Sequence, residues 1–111
     1  MPKNDLIPGT LDMLVLKTLT LGALHGYAIA QHIERTSGDT LRVEQGSLYP
    51  ALERLLKAGL VTSKWGQSPT GRKARYYTIT ASGRRKLGQE IEDFDAIALG
   101  ISRVLGRAEG K

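Results

Sequence analysis

Apolar residues recur at three- and four-residue steps in four stretches of this chain, and at alternate positions in three more. Leu11, Leu14, Val15, Thr18 and Leu19 share one face of a helix expected to open at Thr10 as N-cap, after Pro8-Gly9 and with Asp12 in its first turn. Gly22 and Gly26 bracket a turn through Ala23-Leu24-His25. A second helix is predicted from about Gly26 to Thr36, offering Tyr27, Ile29, Ala30 and Ile33 to a core, and Ser37-Gly38-Asp39 ends it. Leu41-Arg42-Val43 alternates as a very short strand would. The third helix is expected to take Ser47 as its cap, Pro50 in its first turn and Gly59 as a left-handed C-terminal residue. Its Leu48, Leu52, Leu55 and Leu56 face one way, and Tyr49, Pro50, Glu53, Arg54 and Lys57 the other.

Two β-runs follow, Val61 to Trp65 and Arg75 to Ile79, joined by a linker rich in turn formers and bases. They read as a hairpin with a long basic tip. Thr80 then caps a last helix from Ala81 to about Leu105. Its Leu87, Ile91, Phe94, Ala98, Ile101 and Leu105 step by four, three, four, three and four, which is a heptad seam. A helix of ~25 residues spans roughly 37 Å, more than a domain this small can cover, so part of the seam is expected to pack on another chain. Residues 107–111 are expected to fray.

Helix, helix, helix, hairpin is the order of a winged helix-turn-helix, an α+β fold that is mainly α. Residues 1–80 would form the DNA-binding domain and residues 81–111 a C-terminal dimerisation helix with its tail. The chain's 111 residues suffice for one core, and 41% hydrophobic with 24% charged residues is ordinary for a globular chain.

Charge changes the picture. Residues 1–60 carry six bases and six acids, and residues 87–111 three bases and five acids. Residues 61–86 carry Lys64, Arg72, Lys73, Arg75, Arg84, Arg85 and Lys86 and no acid, so the net charge of +5 has a local origin. A phosphate backbone is the partner such a cluster suits best, because each neutralised phosphate releases counterions. The expected DNA contacts are Gln45, Ser47, Tyr49, Pro50, Arg54 and Lys57 on the third helix. Lys64, Arg72, Lys73 and Arg75 would follow on the hairpin. Residues near the start of such a helix reach base edges in the major groove, while the hairpin lies along the backbone or probes the minor groove.

Other chemistry has little to stand on. There is no cysteine, hence no disulfide, thiol nucleophile or thiolate metal site. His25 and His32 are seven residues apart, too far for one ion on a helix, and read as turn and surface residues; no metal or cofactor is expected. No serine has a credible His/Asp partner, so an enzyme is not expected. Trp65 is expected to pack between hairpin and body, and alternation sends one of Tyr76 and Tyr77 inward and the other out. The first residues lack the pattern of a signal peptide, and the apolar stretches fall far short of the ~20 residues a membrane span needs. A cytoplasmic protein with no membrane partner is expected.

Three motifs carry a resemblance. Gly46-Ser47-Leu48-Tyr49-Pro50-Ala51-Leu52, followed by Leu55 and Gly59-Leu60-Val61, resembles the recognition-helix signature of PadR-like transcriptional regulators. So do the Gly22-Ala23-Leu24-His25-Gly26-Tyr27 turn upstream and Gly71-Arg72-Lys73-Ala74-Arg75-Tyr76-Tyr77 with Thr80 and Gly83 downstream. The resemblance spans roughly residues 6 to 92, in the smaller subfamily with a single C-terminal helix. It implies a homodimeric winged-helix repressor on double-stranded DNA, with an inverted-repeat operator. The dimer interface would use Leu11 and Leu14 of the first helix and Leu87, Ile91, Phe94, Ala98, Ile101 and Leu105 of the last. It also implies a small-molecule effector at or near the dimer interface. Some relatives stack ligands on a C-terminal-helix tryptophan, whereas the single Trp here, Trp65, is on the hairpin and the last helix offers Phe94. A winged helix serving protein or RNA interaction is the rival reading, because fold does not fix function.

Overall fold

The computed structural model describes residues 4–5 and 9–107. Its elements are β1 (Asn4–Asp5), α1 (Thr10–Leu19), β2 (Leu24–His25), α2 (Gly26–Thr36), β3 (Leu41–Arg42), α3 (Gln45–Lys57), β4 (Val61–Gln67), β5 (Lys73–Ile79) and α4 (Ala81–Val104). This is the expected winged helix-turn-helix, with two additions. β1 pairs in parallel with β3, and β2 joins the hairpin as a third strand in the order β2-β5-β4. The segment read as a simple turn through Leu24 and His25 is therefore an edge strand, with Leu24 opposite Tyr77 and His25 opposite Tyr76. No local pattern announces a two-residue strand whose partner lies some fifty residues away.

The core gathers one face from each element. Leu11, Val15, Leu16 and Leu19 of α1 meet Ile29 and Ile33 of α2, Leu48, Ala51, Leu52 and Leu55 of α3, and Val61, Tyr77, Ile79 and Leu87. Burying an aliphatic side chain of this size stabilises by roughly 1.5–3 kcal/mol, so this contiguous set dominates the fold's energetics. The turn between α2 and α3 is tied by side chains: the Glu34 carboxylate accepts from the Val43 amide at 2.8 Å, and the Ser37 hydroxyl from the Leu41 amide at 3.1 Å.

Helix ends differ from expectation in three places. Gly9, with φ 93°, precedes α1, so Thr10 is its first residue rather than its cap. α3 starts at Gln45, three residues early, and its N-cap Glu44 makes no side-chain cap bond. Ser47 then lies in the first turn, donating its amide to the Glu44 carbonyl at 3.0 Å, and Pro50 is the sixth helical residue. Pro50 lies on the exposed face, where the carbonyl its ring leaves unpaired can be solvated. The other ends are as read. Gly59 takes φ 73° past the end of α3, with the Leu60 amide donating to the Leu55 carbonyl. The Thr80 hydroxyl caps α4 by accepting from the Gly83 amide at 3.0 Å.

α4 leaves the body. Gly83 and Leu87 are its only buried positions, and Ile91, Phe94, Ile97, Leu99, Ile101, Val104 and Leu105 are exposed. The molecule is elongated, 51 × 33 × 23 Å, with a radius of gyration of 15.4 Å. A compact chain of this length would have about 13 Å. Of the eight expected dimer residues, Leu11 and Leu87 are buried in this chain's own core and Leu14 packs against it. Those three anchor α1 and α4 to the domain. The free seam is therefore Ile91, Phe94, Ala98, Ile101 and Leu105, widened by Ile97 and Val104. Ile97 and Val104, one heptad apart, form a further apolar column beside it. No helix among the described residues is long and apolar enough to cross a membrane. The fraying expected at the tail falls, from residue 108 on, outside the described residues.

Candidate nucleic-acid interface

α3 presents Gln45, Ser47, Tyr49, Pro50, Glu53, Arg54 and Lys57 to solvent, as its leucine spacing requires. That face divides along the helix wheel. Tyr49 and Glu53 lean toward α2 and the hairpin, while Arg54 leans toward α1. The Tyr49 ring lies against the start of α2 at Gly26, where an added Cβ would come within 2.7 Å of its hydroxyl. A side chain at position 26 would thus push Tyr49 off the helix it packs on.

Arg54 is held from the other side. Its Nη2 donates to Asp12 Oδ1 at 2.8 Å and its Nε to Oδ2 at 3.4 Å, a fork on a carboxylate of α1. The hydrogen bond and charge of Asp12 raise the guanidinium pKa above its already high value. Arg54 was expected to be free for bases; it is instead pinned, with Nη1 still available to a ligand. Its partner is 42 residues away, beyond any sequence spacing rule.

The hairpin is tighter than its sequence suggested. β4 and β5 run seven residues each, so only residues 68–72 form the tip, closed by the Arg72 carbonyl accepting from the Ser68 amide at 2.7 Å. Alternation puts Ser63, Trp65 and Gln67 on one face of β4, across from Tyr77, Arg75 and Lys73. This face looks toward α3. Arg75 bridges the two, with its Nε on Ser63 at 3.0 Å, its Nη1 on Glu53 at 3.3 Å and its guanidinium 5.7 Å from the Tyr77 ring centre. Burial pushes the Tyr77 phenol up, opposed by Arg75. Arg75 is thus more a strut between the hairpin and α3 than the free cation expected. Lys64 lies on the opposite face, beside Tyr76, so it does not join Arg72, Lys73 and Arg75.

Trp65 corrects a second expectation. It is 61% exposed rather than packed between hairpin and body, with Lys73 Nζ 5.4 Å over its ring centre. Tyr27, expected in the core, is 63% exposed on α2, with its hydroxyl accepting from Gln31 at 3.3 Å. The sequence held that signal, since Tyr27 and the buried Ile29 are two apart and cannot share a helix face. Tyr77 is the inward member of its pair. Tyr76 packs edge-on against His25 and donates to the Gln67 carbonyl at 2.6 Å. His25 caps α2, its Nδ1 accepting from the Ala28 amide at 3.2 Å.

Together α2, α3 and the hairpin enclose a groove of about 860 Å³. Tyr49, Arg72, Lys73 and Arg75, expected from sequence, line it, and so do Tyr27, Gln31, Glu53 and Trp65, which were not. Arg84, Arg85 and Lys86 are not part of it. They sit at the start of α4, past the base of a hairpin whose strands run roughly 23 Å, and Lys86 pairs with Glu90 at 3.7 Å. The seven-base cluster of the sequence therefore divides in space into Arg72, Lys73 and Arg75 on the groove, Arg84, Arg85 and Lys86 on α4, and Lys64 apart from both. Among the described residues no group of three or more His, Cys, Asp and Glu could hold a metal ion.

Comparison with known proteins agrees with this fold. The family described as "Transcriptional regulator PadR-like family" matches residues 15–89. The chain is similar to a transcriptional regulator from Clostridium thermocellum, 27% identical, with a TM-score of 0.78 over 86% of this chain and 92% of that one. It is similar also to a PadR family transcriptional regulator from Eggerthella lenta, 30% identical, with a TM-score of 0.75 over 87% and 82% of the two chains. The negative transcriptional regulator PadR of Bacillus subtilis is 29% identical over 77 residues. Those residues are 69% of this chain but 42% of that protein, so the chain matches less than half of that relative's length.

Proposed function

Because the chain belongs to the PadR-like family of transcriptional regulators, we propose that it acts as a homodimeric repressor on an inverted-repeat operator in duplex DNA. The observation that carries this reading is the joint geometry of α3 and the wing. An exposed helix face bearing Tyr49, Pro50, Arg54 and Lys57 stands beside a hairpin tip whose Arg72 and Lys73 form no ion pair among the described residues. The α3 face supplies base-edge contacts in the major groove, with Gln45 and Ser47 at the helix start near a phosphate. Arg72 and Lys73 follow the backbone.

The dimer rests on α4. Ile91, Phe94, Ile97, Ala98, Ile101 and Leu105 form an apolar stripe over four turns, half-buried at Ala98 and exposed at the other five positions. Pairing two such stripes about a two-fold axis buries them, and it sets two copies of α3 about one helical turn of DNA apart. Occupied operator then hinders polymerase. A small-molecule effector that altered the spacing of the two α3 helices would release the DNA.

The test is binding of the full chain to a duplex from the protein's own upstream region and to a shuffled duplex, across a salt series. Dimeric, sequence-preferring binding that weakens steeply with salt is expected. Equal, weak binding to both duplexes would overturn the reading and turn attention to RNA or a protein partner.

A further inference from the structure

The outer face of α3 and the wing carries cations suited to phosphate, and a carboxylate stands among them. Glu53 is the one acid lining the groove between α2, α3 and the hairpin. Tyr49 and Lys57, four residues to either side, share its face of the helix. An acid here is repelled by each phosphate that the surface approaches. Its pairing with Arg75 is solvent-accessible, with side chains 53% and 37% exposed, and so adds little to folding. Neither phosphate binding nor stability accounts for a carboxylate at this position. We propose that Glu53 is a specificity-determining residue, whose carboxylate accepts a hydrogen bond from the exocyclic amino group of a cytosine in each half-site. The inference rests on the DNA-binding reading above and adds a base preference to it.

A carboxylate can only accept, which limits what it can read in the major groove. Guanine offers acceptors at N7 and O6, and thymine an acceptor and a methyl group. Adenine sets its N6 amino group beside the N7 acceptor. Cytosine alone presents a donor, its N4 amino group, with no acceptor on its own edge. The geometry of Glu53 leaves one oxygen for that donor. Arg75 donates from Nη1 to Oε2 at 3.3 Å, while its Nε donates to Ser63 at 3.0 Å, so the guanidinium is fixed on the wing as it reaches α3. Oε1 has no hydrogen-bond partner among the described residues. One oxygen is held and the other is presented, on a helix whose inner leucines are buried in the core. With Arg75 engaged, the carboxylate also meets DNA as half of a neutral pair rather than as a bare charge.

The experiment selects binders from a pool of randomised duplexes with the full chain, as wild type, Glu53→Gln and Glu53→Ala. Affinities are then measured for the selected sites and their single-base variants. Wild type is expected to select a C·G pair at one position of each half-site and to lose about tenfold in affinity when that pair is changed, the scale of one base contact. Glu53→Ala should bind all four pairs alike at that position and keep its preferences elsewhere. Glu53→Gln should prefer A·T there, because an amide donates to N7 and accepts from N6 of adenine.

A wild-type selection with clear preferences but no fixed C·G pair overturns this inference and leaves the regulator reading intact. Tighter binding of every sequence by both variants, with the selected positions unchanged, also overturns it and makes Glu53 only a brake on non-specific binding. Preferences lost evenly across the half-site overturn it too, because Glu53 then holds α3 in place rather than reading a base. A wild-type selection with no base preference at any position overturns both this inference and the regulator reading.

Discussion

Asp12→Asn isolates what the pairing of α1 to the reading helix does. The carboxylate holds Arg54 through two donors, at 2.8 and 3.4 Å, and the two side chains are 23% and 55% exposed. An ion pair this open contributes little to folding. Exposed pairs are worth about 0.2–1 kcal/mol, and a forked, partly covered one lies at the upper end. A loss of ~1 kcal/mol in a chain of this size lowers Tm by about 4 °C. Binding should respond more than stability. With Nε and Nη2 held by Asp12, Arg54 offers Nη1 in one fixed direction, and losing that orientation costs discrimination. One oriented side-chain contact to a base is worth about 1–3 kcal/mol, so the operator-to-shuffled affinity ratio should fall about tenfold. Affinity for the shuffled duplex should rise, because a negative charge has left the DNA-facing side. The assay is titration of both duplexes at several salt concentrations for wild type, Asp12→Asn, Arg54→Ala and the double variant. If Asp12 acts through Arg54, Asp12→Asn has no further effect on the ratio once Arg54 is alanine. An additive double variant would refute positioning, and an Arg54→Ala protein with an unchanged ratio would remove Arg54 from the interface.

Three further outcomes are expected. Ile101→Asp, in the free α4 stripe at 54% exposure, should yield monomers by sedimentation and unchanged unfolding of the body; a persisting dimer would move the interface elsewhere. Lys73→Ala should weaken operator and shuffled duplex alike and lower the salt slope by about one, the signature of one phosphate contact, and an unchanged slope would take the wing tip off the backbone. Gly26→Ala should displace Tyr49 and weaken operator binding while far-UV circular dichroism keeps its helical signal; full binding by this variant would show that Tyr49 need not rest on α2.

Local periodicity was enough to place the helices and the wing, because each buries one contiguous apolar face. Leu48, Leu52 and Leu55 define the inner side of α3 in any fold that buries it, and so define the outer side as well. What sequence did not reveal depends on pairs far apart along the chain. The Asp12–Arg54 fork, the Arg75 strut to Glu53 and the β2–β5 pairing each join segments at least 22 residues apart. The start of α3 slipped by three residues because Ser47 resembles a cap, while backbone amides at the first turn are satisfied by the Glu44 carbonyl without it. Trp65 was misplaced for a general reason: large aromatic residues are mostly buried, and nothing local marks the one that is left uncovered.

Those misplaced residues share a direction. Asp12 ties the reading helix to α1, which packs on α4, and Arg75 with Glu53 ties it to the wing. α3 is anchored by its buried leucines, and its exposed face is tied to both flanks by ion pairs that are solvent-accessible and weak. Such a helix keeps its orientation while its flanks agree, and small shifts in either flank reach it through a single side chain.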